Sequence, residues 1–174
     1  MEALNKKIET ERLILRRWQP SDSEPFHKLN SDPKVMEFLL KPLTLVESDN
    51  MIARGEEHFE RNGFGPWAIE VKITGELIGF TGLLRPNFET SFTPCVEVGW
   101  RLATAAWGKG FATEAARAAL AYGFKEGSLN EIVSFTVPAN VRSIAVMERI
   151  GMKRDFGGDF DHPKVPENHP LKKH

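Results

Sequence analysis

The run Trp107-Gly108-Lys109-Gly110-Phe111-Ala112-Thr113 sets two glycines one residue apart, directly ahead of an alanine-rich stretch of high helix propensity. Glycine lets the chain turn sharply and lets a ligand approach the main chain. The first turn of a helix leaves N–H groups without partners, and the helix dipole adds partial positive charge there. Residues 108–113 therefore suit an anion, a phosphate above all, held on backbone N–H groups without a metal. Glu97 is a second residue with chemistry to offer. From 95 to 102 the apolar Val96, Val98, Trp100 and Leu102 alternate with Cys95, Glu97, Gly99 and Arg101. Glu97 then falls mid-strand on the less apolar face, near an expected bulge at Gly99. A carboxylate there is either a general base, acting directly or through water, or a surface group paired with a nearby lysine or arginine. Asn140 reads as the N-cap of a helix at 141–150, and Ser143 as a first-turn serine bonded to its own backbone.

The elements that must position these groups follow from pattern and punctuation. Leu13-Ile14-Leu15 reads as a first strand. Pro20-Ser21-Asp22 opens a short helix capped by Ser21 or Asp22, and a second helical patch is expected after Asp32-Pro33. Residues 47–61 read as a longer helix ended by Asn62-Gly63. Residues 67–71 and 77–82 read as strands joined by a tight turn at Ile73-Thr74-Gly75-Glu76. A polar loop spans 86–94, and 95–102 is the fourth strand. Then come a helix at 110–125, a fifth strand at 132–137 and the helix at 141–150. The tail from Phe156 is rich in Gly, Asp, Pro and His and reads as loop. This order predicts one mixed α/β (α+β) domain, residues 1–174, around a central sheet.

Composition narrows the class. A chain of 174 residues with 41% hydrophobic and 27% charged residues matches an ordinary soluble domain. A net charge of -1 argues against a sequence-independent grip on nucleic acid. The single cysteine, Cys95, excludes an internal disulfide framework and reads as a small buried residue. No apolar run has membrane-spanning length, and 1–7 lacks the hydrophobic stretch of a secretion signal, so a cytoplasmic location is expected. The five histidines form no metal-ligand spacing, so no metal site is expected. Gly108 and Gly110 lack the third glycine of a dinucleotide fingerprint, and no G-x-x-x-x-G-K-[ST] loop occurs.

Taken in order, the segments Val96-Glu97-Val98-Gly99-Trp100-Arg101-Leu102, Trp107 to Ala115, Asn140-Val141-Arg142-Ser143 and Ile150-Gly151-Met152 resemble the GNAT superfamily of acyl-CoA N-acetyltransferases. Thr10 to Arg16 and Gly75 to Gly79 extend the match over nearly the whole chain. The branch most similar is the ribosomal-protein-alanine N-acetyltransferase type. The resemblance implies a mixed, mostly antiparallel sheet of six to seven strands, helices on both faces, and fourth and fifth strands that splay apart. It implies that the pantetheine arm of acetyl-CoA lies in that gap and pairs with backbone like an added strand. Members of the family often open the glycine turn with Gln or Arg; here Trp107, Gly110 and Ala112 fill the pattern, and backbone N–H groups carry the load. They also end in an aromatic-rich strand, expected to begin about where Leu171-Lys172-Lys173-His174 stand, so either the chain is truncated or the sheet lacks that strand.

The resemblance implies cofactor contacts from Trp100, Arg101 and Leu102, from Trp107, Gly108, Lys109, Gly110, Phe111, Ala112 and Thr113, and from Asn140. Arg101 is alternatively a partner for Glu97. Glu97 becomes the expected base for the acceptor amine, and Ser143 the expected proton donor to the leaving thiolate. Met147 stands where many members carry a Tyr. The expected activity is acetyl transfer from acetyl-CoA to a primary amine, either a peptide N-terminus or a small molecule, by direct attack in a ternary complex. The alternative is an acetyl-CoA-binding sensor or interaction module without turnover. Neither nucleic acid nor membrane is an expected partner, and the chain is expected to be a monomer or homodimer.

Overall fold

The computed structural model describes residues 7–174. Five strands form one sheet in chain order: β1 (Ile8–Glu9), β2 (Leu13–Arg16), β3 (Pro66–Val71), β4 (Leu77–Leu84) and β5 (Glu97–Leu102). Every neighbouring pair is antiparallel. Four helices accompany them: α1 (Ser23–Ser31), α2 (Leu45–Asn62), α3 (Phe111–Lys125) and α4 (Val141–Arg149). The architecture is the mixed α/β one that the sequence predicts.

Sheet register sorts the side chains. Leu13, Leu15, Trp67, Ile69, Leu83, Val98 and Leu102 pack with Ala115 and Ala119 of α3 into the main core. Small alanines on α3 let the helix approach the sheet closely. On the opposite face Phe80 packs with Phe26 and Leu29 of α1, with Met51 and Ile52 of α2 at the margin. Arg16 on that face is held by both oxygens of Asp22 at 2.8 and 2.9 Å and by Glu70 at 2.6 Å. Thr44 and Glu47 close a capping box at the start of α2, and Gly63 ends it in the left-handed region (φ 75°).

Several expectations are corrected. Among the described residues the sheet has five strands, not six or seven. The expected fifth strand at 132–137 makes one isolated parallel bridge, Glu97 to Val133, and then leaves the sheet. The strand expected at 95–102 begins at Glu97, so Glu97 opens β5 rather than sitting in its middle. No bulge occurs at Gly99; the β4–β5 register runs unbroken from Leu84–Glu97 to Gly79–Leu102, and the irregularity falls at Ile69/Glu70 of the β3–β4 pair. The patch after Asp32-Pro33 forms turns, not a helix. The tail folds back on itself, with Phe160 and His174 exchanging backbone hydrogen bonds and Asp161 bridging Lys173.

Candidate functional site

Gly108 (φ 73°) and Gly110 (φ 78°) both occupy the left-handed region, where a Cβ is strained. Their turn delivers the chain into α3. Among the described residues, none of the N–H groups from Gly108 to Thr113 meets an acceptor; the first helical bond runs from Glu114 N–H to Gly110 O at 3.0 Å. The turn is braced from behind. Arg12 donates from Nη1 to Lys109 O (2.9 Å) and from Nε to Glu114 Oε2 (2.7 Å), and its guanidinium lies 4.6 Å from the centre of the Phe111 ring. Thr10 Oγ1 donates to Glu114 Oε1 at 2.6 Å. The result is a rigid N–H cradle at a helix N-terminus, open to solvent.

The cradle opens onto a cavity of about 1170 Å³ that runs between β5 and the 132–137 segment. Val98 N–H donates to Val133 O (2.8 Å), and Val133 N–H donates to Val96 O (2.9 Å). Ser134 Oγ adds a last tie to Val98 O. Beyond that point the two segments diverge. Strand alternation turns the N–H and C=O of Trp100 the same way as those of Val98, into the gap and away from β4. Leu102 O also faces this side but accepts the Trp107 indole N–H at 2.8 Å. That bond fixes Trp107 against the strand, and Arg142 stacks on the indole at 4.5 Å while pairing with Glu37 at 2.6 Å. Trp107 is thus a clamp between β5 and the turn.

Glu97 and Arg101 line the cavity on the α1/α2 face of β5. Desolvation pushes the Glu97 carboxyl up to about 8, and no ion pair compensates it among the described residues. The surface-pair reading of Glu97 therefore does not hold. Burial likewise lowers Arg101 to about 10. Its Nη1 donates to Asn30 Oδ1 at 2.7 Å, and its guanidinium lies 5.6 Å from the centre of the Phe80 ring. Arg101 does not pair with Glu97, and its side chain belongs to the α1/α2 layer rather than to the N–H cradle. Gly99, between the two, faces open space; a Cβ there meets only Glu97 Oε1, at 3.8 Å.

Helix α4 forms the other wall. Asn140 caps it, accepting from Ser143 N–H at 3.3 Å, while its Nδ2 donates to Thr136 Oγ1 and Ser143 Oγ at 3.0 Å each. Both amide protons are thereby used inside the chain. Ser143 Oγ accepts from Asn140 and keeps its own proton free for the cavity. Ser143 and Met147 both line it. Lys109 is exposed and outside the lining; Cys95 is half-buried and also outside it, and burial pushes its thiol up.

Sequence reasoning missed other lining residues. His58 looks like a base but is committed to structure: Nδ1 meets Phe64 O at 2.8 Å and Nε2 accepts from Arg85 N–H at 3.0 Å. Burial lowers it further toward the neutral form. Phe135 of the 132–137 segment and His162 and His174 of the tail form an aromatic wall with ring centres 4.9–6.2 Å apart, and Phe160, outside the lining, packs against all three. Among the described residues no group of three metal-ligating side chains assembles, and no helix is long and apolar enough to cross a membrane.

Comparison with known proteins adds to this geometry. Residues 12–153 match a family model described as an acetyltransferase (GNAT) domain. The chain is 33% identical over 147 residues to the uncharacterized protein YkkB of Bacillus subtilis (strain 168), covering 84% of each. A crystal structure of a GNAT-family acetyltransferase from Bacillus anthracis superposes with a TM-score of 0.75 at 29% identity, covering 90% of this chain and 87% of that one. The ribosomal L7/L12 alpha-N-protein acetyltransferase RimL, solved in complex with coenzyme A, shares the fold at TM-score 0.74 and 17% identity, covering 92% of this chain and 90% of that one.

Proposed function

The chain belongs to the GNAT acetyltransferase family, and from that footing we propose that it moves the acetyl group of acetyl-CoA to a primary amine by direct attack in a ternary complex. One observation carries the reading. The partner-free N–H groups of 108–113, the divergence of 132–137 from β5 and the half-buried carboxylate of Glu97 all open on one cavity. The donor set fits the cosubstrate: N–H groups at a helix N-terminus for the diphosphate, and the N–H and C=O of Trp100 for the amide-bearing arm. When bound, acetyl-CoA supplies the acetyl group as an activated thioester.

The chain's own residues do the rest. Glu97, with its carboxyl near 8, is matched to take the proton of an ammonium acceptor at neutral to mildly alkaline pH. Trp100 N–H is a fixed dipole able to stabilise developing negative charge in the gap. Ser143 Oγ, oriented by Asn140, holds a proton toward the departing sulfur. Cys95 lies outside the cavity lining with a raised thiol, which supports direct transfer over a covalent enzyme intermediate.

Calorimetry with acetyl-CoA, followed by thiol release with a panel of small amines and N-terminal peptides, tests the proposal. Saturable binding and amine-dependent thiol release are expected. No binding at millimolar acetyl-CoA overturns it. Met147, a side chain without a proton to give where a Tyr is common, keeps the sensor reading in play; binding with no thiol release from any amine would favour that reading.

A further inference from the structure

Arg101 is a cation without a counterion. Its guanidinium reaches into the α1/α2 layer, where its partners are neutral: Asn30 Oδ1 at 2.7 Å and Met51 Sδ at 3.7 Å. Asn30 is fully buried and held in turn by Ser48 Oγ at 2.9 Å, so the Arg101 head is fixed, not floating. Among the described residues no carboxylate comes within ion-pair distance of it. The contrast with Arg16, on the same sheet face, is direct: Arg16 is sealed by two carboxylates. Only one of the guanidinium's five N–H donors is committed to an oxygen. Arg101 is half-buried and lines the cavity, so its uncommitted donors are open to an anion that completes the pair.

The surroundings say where that ligand lies. Arg101 lines the large cavity, and Glu97 is the sole carboxylate among the residues lining it. Glu97 and Arg101 stand four residues apart on one face of β5, roughly 13 Å along the strand. Between them Gly99 pairs with Gly82 of β4, so no side chain rises from the floor. The floor thus has a proton acceptor at one end, an unpaired cation at the other and a bare strip between.

We propose that the acceptor is an amine that also carries a carboxylate a few bonds from the nitrogen, and that Arg101 receives that carboxylate while Glu97 faces the amine. This rests on the transferase reading of the cavity. The carboxylate completes the Arg101 pair, as Asp22 does for Arg16, and orients the amine toward the gap. A free amino acid and the N-terminal end of an acidic peptide both present this chemistry.

The test uses matched acid and amide pairs with the full chain and acetyl-CoA. β-Alanine, γ-aminobutyrate and glutamate are compared with β-alaninamide, γ-aminobutyramide and glutamine; Ala-Glu peptides are compared with Ala-Gln peptides. The readout is the ratio of kcat/KM for acid over amide, with calorimetric Kd for each pair on the CoA-loaded protein, so a general loss of activity cancels. The wild type is expected to prefer the acid by about tenfold or more. Arg101→Gln is expected to bring the ratio to within about twofold of unity, and Arg101→Lys to retain part of it. Asn30→Asp, which hands Arg101 an internal carboxylate and keeps the side-chain shape, is expected to abolish the preference as well, and guards against misfolding of Arg101→Gln. A preference confined to the small acids or to the peptides identifies the source. A wild-type ratio near one, or a ratio unmoved by both Arg101→Gln and Asn30→Asp, overturns the proposal and leaves the transferase reading standing. Failure to bind acetyl-CoA at all removes the transferase reading, and this inference with it.

Discussion

Replacing Glu97 by Gln separates two consequences of one half-buried, desolvated carboxyl. Its folded value of about 8 lies well above the 4.5 of the free side chain, and desolvation is the cause. The sign follows from proton counting. Between pH 4.5 and 8 the folded chain holds a proton that the unfolded chain has lost, so stability falls as pH rises through that window. The full difference is on the order of 5 kcal/mol, an upper figure because the cavity admits water. Urea denaturation at pH 5 and pH 9, without any ligand, reads it. The wild type is expected to lose stability relative to Glu97→Gln across that range, and the two to converge near pH 5. The same substitution removes the proposed base. At pH 7 roughly a tenth of the molecules carry the Glu97 charge. Wild-type kcat/KM is then expected to rise with pH and level off above about 8, while Glu97→Gln runs about 100-fold to 10,000-fold slower and keeps only the limb set by the acceptor amine. Because α-amines also titrate near 8, the denaturation arm identifies the carboxyl independently of substrate. Parallel stability curves for the two proteins from pH 5 to 9 would refute the reasoning.

Three further outcomes are expected. Gly110→Ala forces a Cβ into the left-handed region and within 3.4 Å of Arg12 Nη2; it is expected to cost about 1–2 kcal/mol in denaturation and to weaken acetyl-CoA binding by about tenfold or more, read by calorimetry. Asp22→Asn removes the charge from a buried bidentate pair and strands Arg16 beside Glu70 alone; it is expected to cost about 3–5 kcal/mol, read by the urea midpoint, with the acetyl-CoA Kd of the folded fraction unaltered. Ser143→Ala removes the one hydroxyl aimed from α4; thiol release at saturating substrates is expected to slow about tenfold, and an unchanged rate would mean that the thiolate leaves unaided.

What was legible in the sequence was what local pattern controls. The alternation at 95–102, the alanine helix and the glycine pair point to three neighbouring elements, and the structure has all three, with the strand starting two residues later at Glu97. Asn140 as a cap and Gly63 as a helix stop needed only adjacent residues. What stayed hidden depends on partners far along the chain. Arg12 has no local signature marking it as the brace of a turn nearly a hundred residues later. The indole of Trp107 departs from a polar pattern, and its reason is Leu102 O, which accepts its N–H. The expected Gly99 bulge is absent because Gly99 pairs one-to-one with Gly82 in an unbroken register, and its missing side chain leaves open space instead of a kink. The 132–137 strand failed because β propensity cannot report that a neighbour diverges after one bridge.

The brace at Arg12 and Glu114 joins residues 102 positions apart. The N–H cradle is therefore complete only when the chain just ahead of β2 has met the start of α3. No fragment ending before α3, and none starting after β2, can own a complete cradle. An anion held on the proposed cradle is then coupled to the pairing of Thr10 and Arg12 with Glu114 rather than to one loop, and is expected to protect the chain around both ends of that brace against proteases. At a concentration 100 times Kd this linkage amounts to about 2.7 kcal/mol.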